Sequence, residues 1–105
     1  MVTDQPRVRL ATREDEQDLV DMVKRLHDES ALRLADGSPL PLDPVRVRET
    51  VQRAIIPNRN GPDLPAWIGV IGGQKQLQGS VYLSCETVWY SATPIVTELW
   101  NYCVP

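Results

Sequence analysis

Trp67-Ile68-Gly69-Val70-Ile71-Gly72-Gly73-Gln74-Lys75-Gln76-Leu77-Gln78-Gly79-Ser80-Val81-Tyr82-Leu83-Ser84-Cys85-Glu86 decides the fold class. An apolar run from Trp67 to Ile71 reads as a strand, and Gly72 to Gln76 is a turn of hairpin length. From Leu77 to about Tyr90 the chain alternates: Leu77, Val81, Leu83 and Cys85 are apolar, whereas Gln78, Ser80, Tyr82, Ser84 and Glu86 are mostly polar. Ser91 to Pro94 turns the chain again, and Ile95 to Val104 forms a last strand. Connections this short make the three strands antiparallel.

Working outward, the chain ahead of this sheet is helical. Arg7-Val8-Arg9-Leu10-Ala11 alternates as a short first strand. Thr12 and Asp15 have capping-box spacing, and Glu14, Asp15, Glu16 and Asp18 load the positive end of a helix dipole. That helix is expected to run to about Ser30, with Leu19, Val20, Val23 and Leu26 buried and Asp18, Asp21, Lys24, Arg25 and Asp28 in water. Residues 35–44 carry one glycine and three prolines and form a loop. Asp43-Pro44 then opens a second helix that presents Val47, Val51, Ala54 and Ile55 on one face and stops at Pro57. A second loop follows over Asn58 to Pro65. The fold class is therefore α+β: two helices on one face of a mainly antiparallel four-stranded sheet.

The totals bound the function. With 105 residues there is room for a single small domain. A net charge of −3 and a pI near 5.0 disfavour nucleic acid as a partner. No apolar run reaches the roughly 18 residues of a membrane span, and no signal peptide is evident, so a cytoplasmic protein is expected. One histidine and no CxxC spacing leave no zinc site, and Cys85 and Cys103 read as buried free thiols. Charge is unevenly spread: residues 67–105 hold only Lys75, Glu86 and Glu98 of the 25 charged side chains, yet all six aromatic residues. A sheet so poor in charge is expected to be covered by more polypeptide than two helices supply, from a partner chain or a further half of the domain.

The order strand, helix, helix, three strands resembles the opening half of the GNAT (Gcn5-related) N-acetyltransferase fold. Val8-Arg9-Leu10-Ala11-Thr12-Arg13-Glu14-Asp15 is similar to the family's "R-x-A-x-x-x-D" start, and Leu26-His27-Asp28-Glu29-Ser30 to an "H-x-E-S" segment of one branch. Leu99-Trp100-Asn101-Tyr102-Cys103-Val104-Pro105 resembles the end of the fourth strand, which closes on "V-x-P". The resemblance implies transfer of an acetyl group from acetyl-CoA to a small amine or peptide acceptor. Family members continue into an "R/Q-x-x-G-x-G/A" loop whose amides hold the coenzyme's pyrophosphate. That segment is not in this sequence. The expectation is a domain of 105 residues that is the N-terminal, acceptor-side half, inactive alone and completed by a C-terminal half or a second copy.

The resemblance also nominates residues. Glu98, expected to share a face with Val96, Trp100 and Tyr102, is the candidate catalytic base; the alternative is a rim glutamate with its head in water. Asn101, Tyr102 and Cys103 match the stretch whose main chain pairs with the pantetheine arm of the coenzyme, or else form a bare edge strand. His27, Glu29 and Ser30 are candidates for the acceptor pocket, against a simple packed histidine. Tyr82, Trp89 and Trp100 either line an acceptor groove or pack the sheet. A competing reading is an interaction module without catalysis that self-associates through its last strand.

Overall fold

The computed structural model describes residues 7–56, 65–73 and 76–104. The expected stop at Pro57, most of the loop before Pro65, the Gln74-Lys75 hairpin tip and the closing Pro105 lie outside the described residues.

Strand β1 (Val8–Leu10) leads into a 3₁₀ turn (Arg13–Asp15), helix α1 (Glu16–Glu29), helix α2 (Pro44–Ile55) and strands β2 (Ala66–Gly73), β3 (Gln76–Glu86) and β4 (Ile95–Cys103). The strands lie in sequence order and every neighbouring pair is antiparallel. Both helices cover one face. Their buried Leu19, Val20, Met22, Val51 and Ile55 form one cluster with Ile68, Val70, Tyr82, Trp100 and Tyr102 of the sheet. Met22 was missed in the sequence reading, and Val23 and Leu26 are only half-buried, so the stripe of α1 is rotated toward Met22. Asp18, expected in water, is half-buried on the helix face.

Two local devices fix the entry to α1. Arg9 Nη1 and Nη2 bond the Asp15 carboxylate in a fork at 2.8 and 2.9 Å, and Thr12 N–H donates to Asp15 Oδ2 at 2.8 Å. Arg9 also donates to the Gly72 carbonyl across the sheet. One buried carboxylate thus ties β1, the turn and, through Arg9, β2. At α2, Asp43 Oδ1 accepts from the Val45 and Arg46 amides at 3.0 and 3.2 Å, with Pro44 at the first helical position. Arg48 joins the helices, bonding Glu16 at 2.5 Å and Gln17 at 2.8 Å.

The alternation along β3 is present, but its faces are reversed from the ordinary inside-apolar rule. The polar-looking set Ser80, Tyr82 and Ser84 is buried under the helices, while Val81, Leu83 and Cys85 sit half-buried on the open face. The serines are tolerated because they are bonded: Trp100 Nε1–H donates to Ser80 Oγ at 2.9 Å, and Ser80 Oγ–H points to Met22 Sδ at 3.1 Å. Their small size leaves room for Tyr82 and Trp100, whose ring centroids are 4.9 Å apart. Both cysteines are free, as expected. Cys103 is exposed rather than buried, because it projects from the open face of an edge strand.

The β3–β4 register contains one irregularity that matters for function. Tyr82 pairs with Trp100, but Leu83 pairs with Glu98, so Leu99 has no residue opposite it. This β-bulge shifts the phase of β4 by one residue. Trp100 and Tyr102 lie on the helix face; Val96 and Glu98, opposite Cys85 and Leu83, lie on the other. The expectation that Glu98 shares a face with Trp100 and Tyr102 is therefore corrected. An even spacing keeps one face only in an unbroken strand.

Candidate functional site

A cavity of about 940 Å³ opens between the end of α1, the loop 31–43, the start of α2 and the bulged part of β4. It lies within the size range of small-molecule sites. Its apolar lining includes Val23, Leu26, Leu42, Val47, Leu99 and Trp100. The bulge explains the last two: consecutive residues of a regular strand point to opposite faces, whereas Leu99 and Trp100 both reach the same cavity.

His27, Glu29 and Ser30 all line this cavity. His27 Nε2–H donates to the Leu40 carbonyl at 2.5 Å, and its Nδ1 stands 3.6 Å from Asp28 Oδ1. The imidazole thus fastens the loop to α1, which commits Nε2 and leaves it no role as a proton acceptor. Ser30 ends the helix and its Oγ accepts from the Leu32 amide at 3.1 Å. Glu29 is the more informative group. Tyr102 O–H donates to Glu29 Oε2 at 2.5 Å, bringing the end of α1 onto β4. That bond raises the Tyr102 pKa above its ordinary value, with burial adding to it, because ionised tyrosine would face a carboxylate.

Of the remaining nominated residues, Glu98 is exposed and is not among the cavity's lining groups. Asn101 and Cys103 are exposed opposite Val81 and Gly79, whereas Tyr102 is buried opposite Ser80. The three share the backbone of an edge, since β4 has a strand neighbour only on its β3 side among the described residues. Trp100 lines the cavity and Tyr82 stacks behind it, where burial raises the phenol's pKa. Trp89 is 95% exposed, paired edge-on with Tyr90 away from the site.

Sequence reasoning overlooked Leu99, Arg33 and Arg46, all of which line the cavity. Leu99 carries no signal of its own, because a bulge is a property of two strands in register. The two arginines had a usable one, since they flank the proline-rich loop that closes the cavity.

The coenzyme that the resemblance implies is testable against these residues. An edge strand interrupted by a bulge offers unpaired main-chain groups to an extended, strand-like arm. The phosphates find no equivalent. The positive end of α2 is filled by the Asp43 carboxylate, and the entry to α1 by Asp15 and by Glu14, which accepts from Thr12 Oγ at 2.8 Å. The described residues therefore fit the arm and not the pyrophosphate. Among them no group of His, Cys, Asp or Glu is placed to hold a metal ion, and no helix is long and apolar enough to cross a membrane. Comparison with protein-family profiles, with curated proteins and with solved structures finds no match for this chain.

Proposed function

We propose that this chain is the acceptor-side half of a GNAT-type N-acetyltransferase, with the cavity receiving the amine that takes the acetyl group of acetyl-CoA. The observation that carries the reading is the bulge at Leu99: it turns two consecutive side chains into the cavity and leaves the outer edge of the same strand open. An acceptor in the cavity and an extended donor along the edge would then meet at one point on β4. In this arrangement Leu99 and Trp100 exclude water from the amine's approach. Glu29, held by Tyr102, offers a carboxylate to an incoming ammonium. Main-chain amides near Asn101 are the groups suited to polarising an acyl oxygen. Glu98, on the opposite face, is the less favourable base; Glu29 or a water takes that role.

The test is a titration of ¹⁵N-labelled protein with acetyl-CoA and, separately, with pantetheine. Shifts confined to amides of residues 98–104 are expected, weak for both ligands and similar in size because the phosphates contribute little. Unshifted β4 amides at millimolar ligand would reject the reading. Catalysis itself is checked by adding the family's C-terminal half and following coenzyme A release; no complex and no turnover would count against it.

A second reading, an interaction module, is favoured by a different observation. On the face away from the helices Val96 of β4 and, at the opposite edge of the sheet, Val8 and Leu10 of β1 are each more than 60% exposed, and among the described residues β1 and β4 each have a strand neighbour on one side only. Exposed apolar surface beside a free edge is an association site. Sedimentation over a concentration series separates the two: a monomer at high concentration removes self-association.

A further inference from the structure

The charges around the cavity are not evenly satisfied. Two of the carboxylates that line it accept from donors of this chain: Glu29 takes the Tyr102 hydroxyl, and Asp43 takes the Val45 and Arg46 amides. Arg33 and Arg46, which also line it, make no ion pair with a carboxylate among the described residues. Arg33 Nη1 bonds only the Ser30 and Leu32 carbonyls, at 3.0 and 2.8 Å, and the Arg46 side chain has no hydrogen bond or ion pair among the described residues. The same lining also carries the apolar Val23, Leu26, Leu42, Val47 and Leu99.

From this pattern we infer that the acceptor is zwitterionic: an amino acid or short peptide whose ammonium meets Glu29 and whose carboxylate meets Arg46 and Arg33. A simple amine would leave both guanidinium groups unused. A carboxylate answers their fork geometry with paired, charge-assisted bonds. Glu29 remains able to accept, because Tyr102 uses Oε2 and leaves Oε1 free. A volume of about 940 Å³ is ample for a dipeptide. This inference rests on the acceptor-side reading for the cavity but does not require the coenzyme to bind.

Calorimetric titration with three ligands of one shape tests it: the dipeptide Leu-Phe, its C-terminal amide and its N-acetyl derivative. The dipeptide is expected to bind roughly tenfold more tightly than either derivative, each of which lacks one charge. Arg46→Met should bring the dipeptide down to the affinity of the amide without changing the amide. Glu29→Gln should bring it down to that of the N-acetyl derivative. Equal affinity of dipeptide and amide would overturn the inference, as would an Arg46→Met protein that still separates them, or no binding of any of the three at millimolar concentration. Far-UV circular dichroism confirms that each variant is folded; Arg46 is exposed, so its loss does not disturb the core. The two readings fail separately. Dipeptide binding without any β4 response to acetyl-CoA rejects acetyl transfer and keeps the site; the reverse result rejects the zwitterion alone.

Discussion

Replacing Asp15 by asparagine removes a charge from the most constrained polar group in the chain. The carboxylate is fully buried, accepts a fork from Arg9 at 2.8 and 2.9 Å, and accepts the Thr12 amide at 2.8 Å. Hydrogen bonds to a charged group contribute about 1.5–3 kcal/mol each. They share one carboxylate here and do not add. The Arg9 side chain is also 35% exposed, so water recovers part of its loss. A net cost of about 3 kcal/mol results, below the upper end for a broken buried pair. In a domain of this size that corresponds to a fall of roughly 15 °C in Tm, read by thermal circular dichroism. The pH dependence makes the test specific. The hydrogen bond from Arg9, helped by the Thr12 amide, holds the Asp15 pKa below its ordinary value despite burial. A depressed carboxylate pKa stabilises the fold fully above the unfolded pKa, about 3.9, and that contribution is lost as pH falls through the lower native pKa. The gap between the natural protein and Asp15→Asn is therefore large at pH 7 and narrows once pH falls below the unfolded pKa and through the lower native one. A gap under about 1 kcal/mol at pH 7, or one unchanged down to pH 2, would refute the reasoning.

Gly72 has φ +110°, and a Cβ built on it would lie 2.5 Å from the Gln76 carbonyl oxygen; Gly72→Ala should cost about 2 kcal/mol or more in urea unfolding, whereas Gly73→Ala, with nothing within 4 Å, should cost well under half as much. Tyr102, its proton engaged by Glu29, should ionise above the ordinary phenol range in an ultraviolet titration, and Glu29→Gln should lower its pKa. Because the native state favours neutral Tyr102, this contact supports the fold fully below about pH 10 and is lost as pH rises through the higher native pKa. Natural protein and Tyr102→Phe should accordingly converge in stability under strongly alkaline conditions.

Much of the architecture was legible because its signals are local. Thr12 with Asp15 and Asp43 with Pro44 mark helix starts through bonds that span three residues or fewer, and both starts stand where expected. Strand existence followed from Trp67–Ile71 and from turn residues between runs, and antiparallel order followed from short connections. The stop of β3 at Glu86 instead of near Tyr90 was not legible. Trp89 and Tyr90 have strong strand propensity, but they stack on each other in solvent and have no neighbouring strand. The inward faces of the helices were legible too, at Leu19, Val20, Val51 and Ile55; what failed was the assignment of faces in β3 and β4. Ser80 and Ser84 look outward by type, yet Ser80 is held by a tryptophan N–H and a methionine sulfur, and Ser84 Oγ–H donates to Glu86 Oε1.

The candidate site shows the same division more sharply. His27, Glu29 and Ser30 were reachable because a helix end and the loop after it stay together whatever the tertiary fold does, and all three line the cavity. Glu98 was not, because its face depends on how many residues of β4 oppose those of β3. A single unpaired residue, Leu99, exchanges the faces of all that precede it relative to all that follow. Had β4 been regular, Glu98 would have stood on the face of Trp100 and Tyr102, beside the cavity, and Leu99 on the open face. The bulge reverses both placements at once: it takes a carboxylate away from the cavity wall and puts a leucine there. Of the carboxylates that line the cavity, Glu29 is the one fixed by strand β4, through the hydroxyl of Tyr102. Strand β4 therefore contributes apolar cover and a positioning donor, while α1 contributes the charge. On the proposed acceptor-side reading, that allocation puts the base on α1 at Glu29 and not on β4 at Glu98.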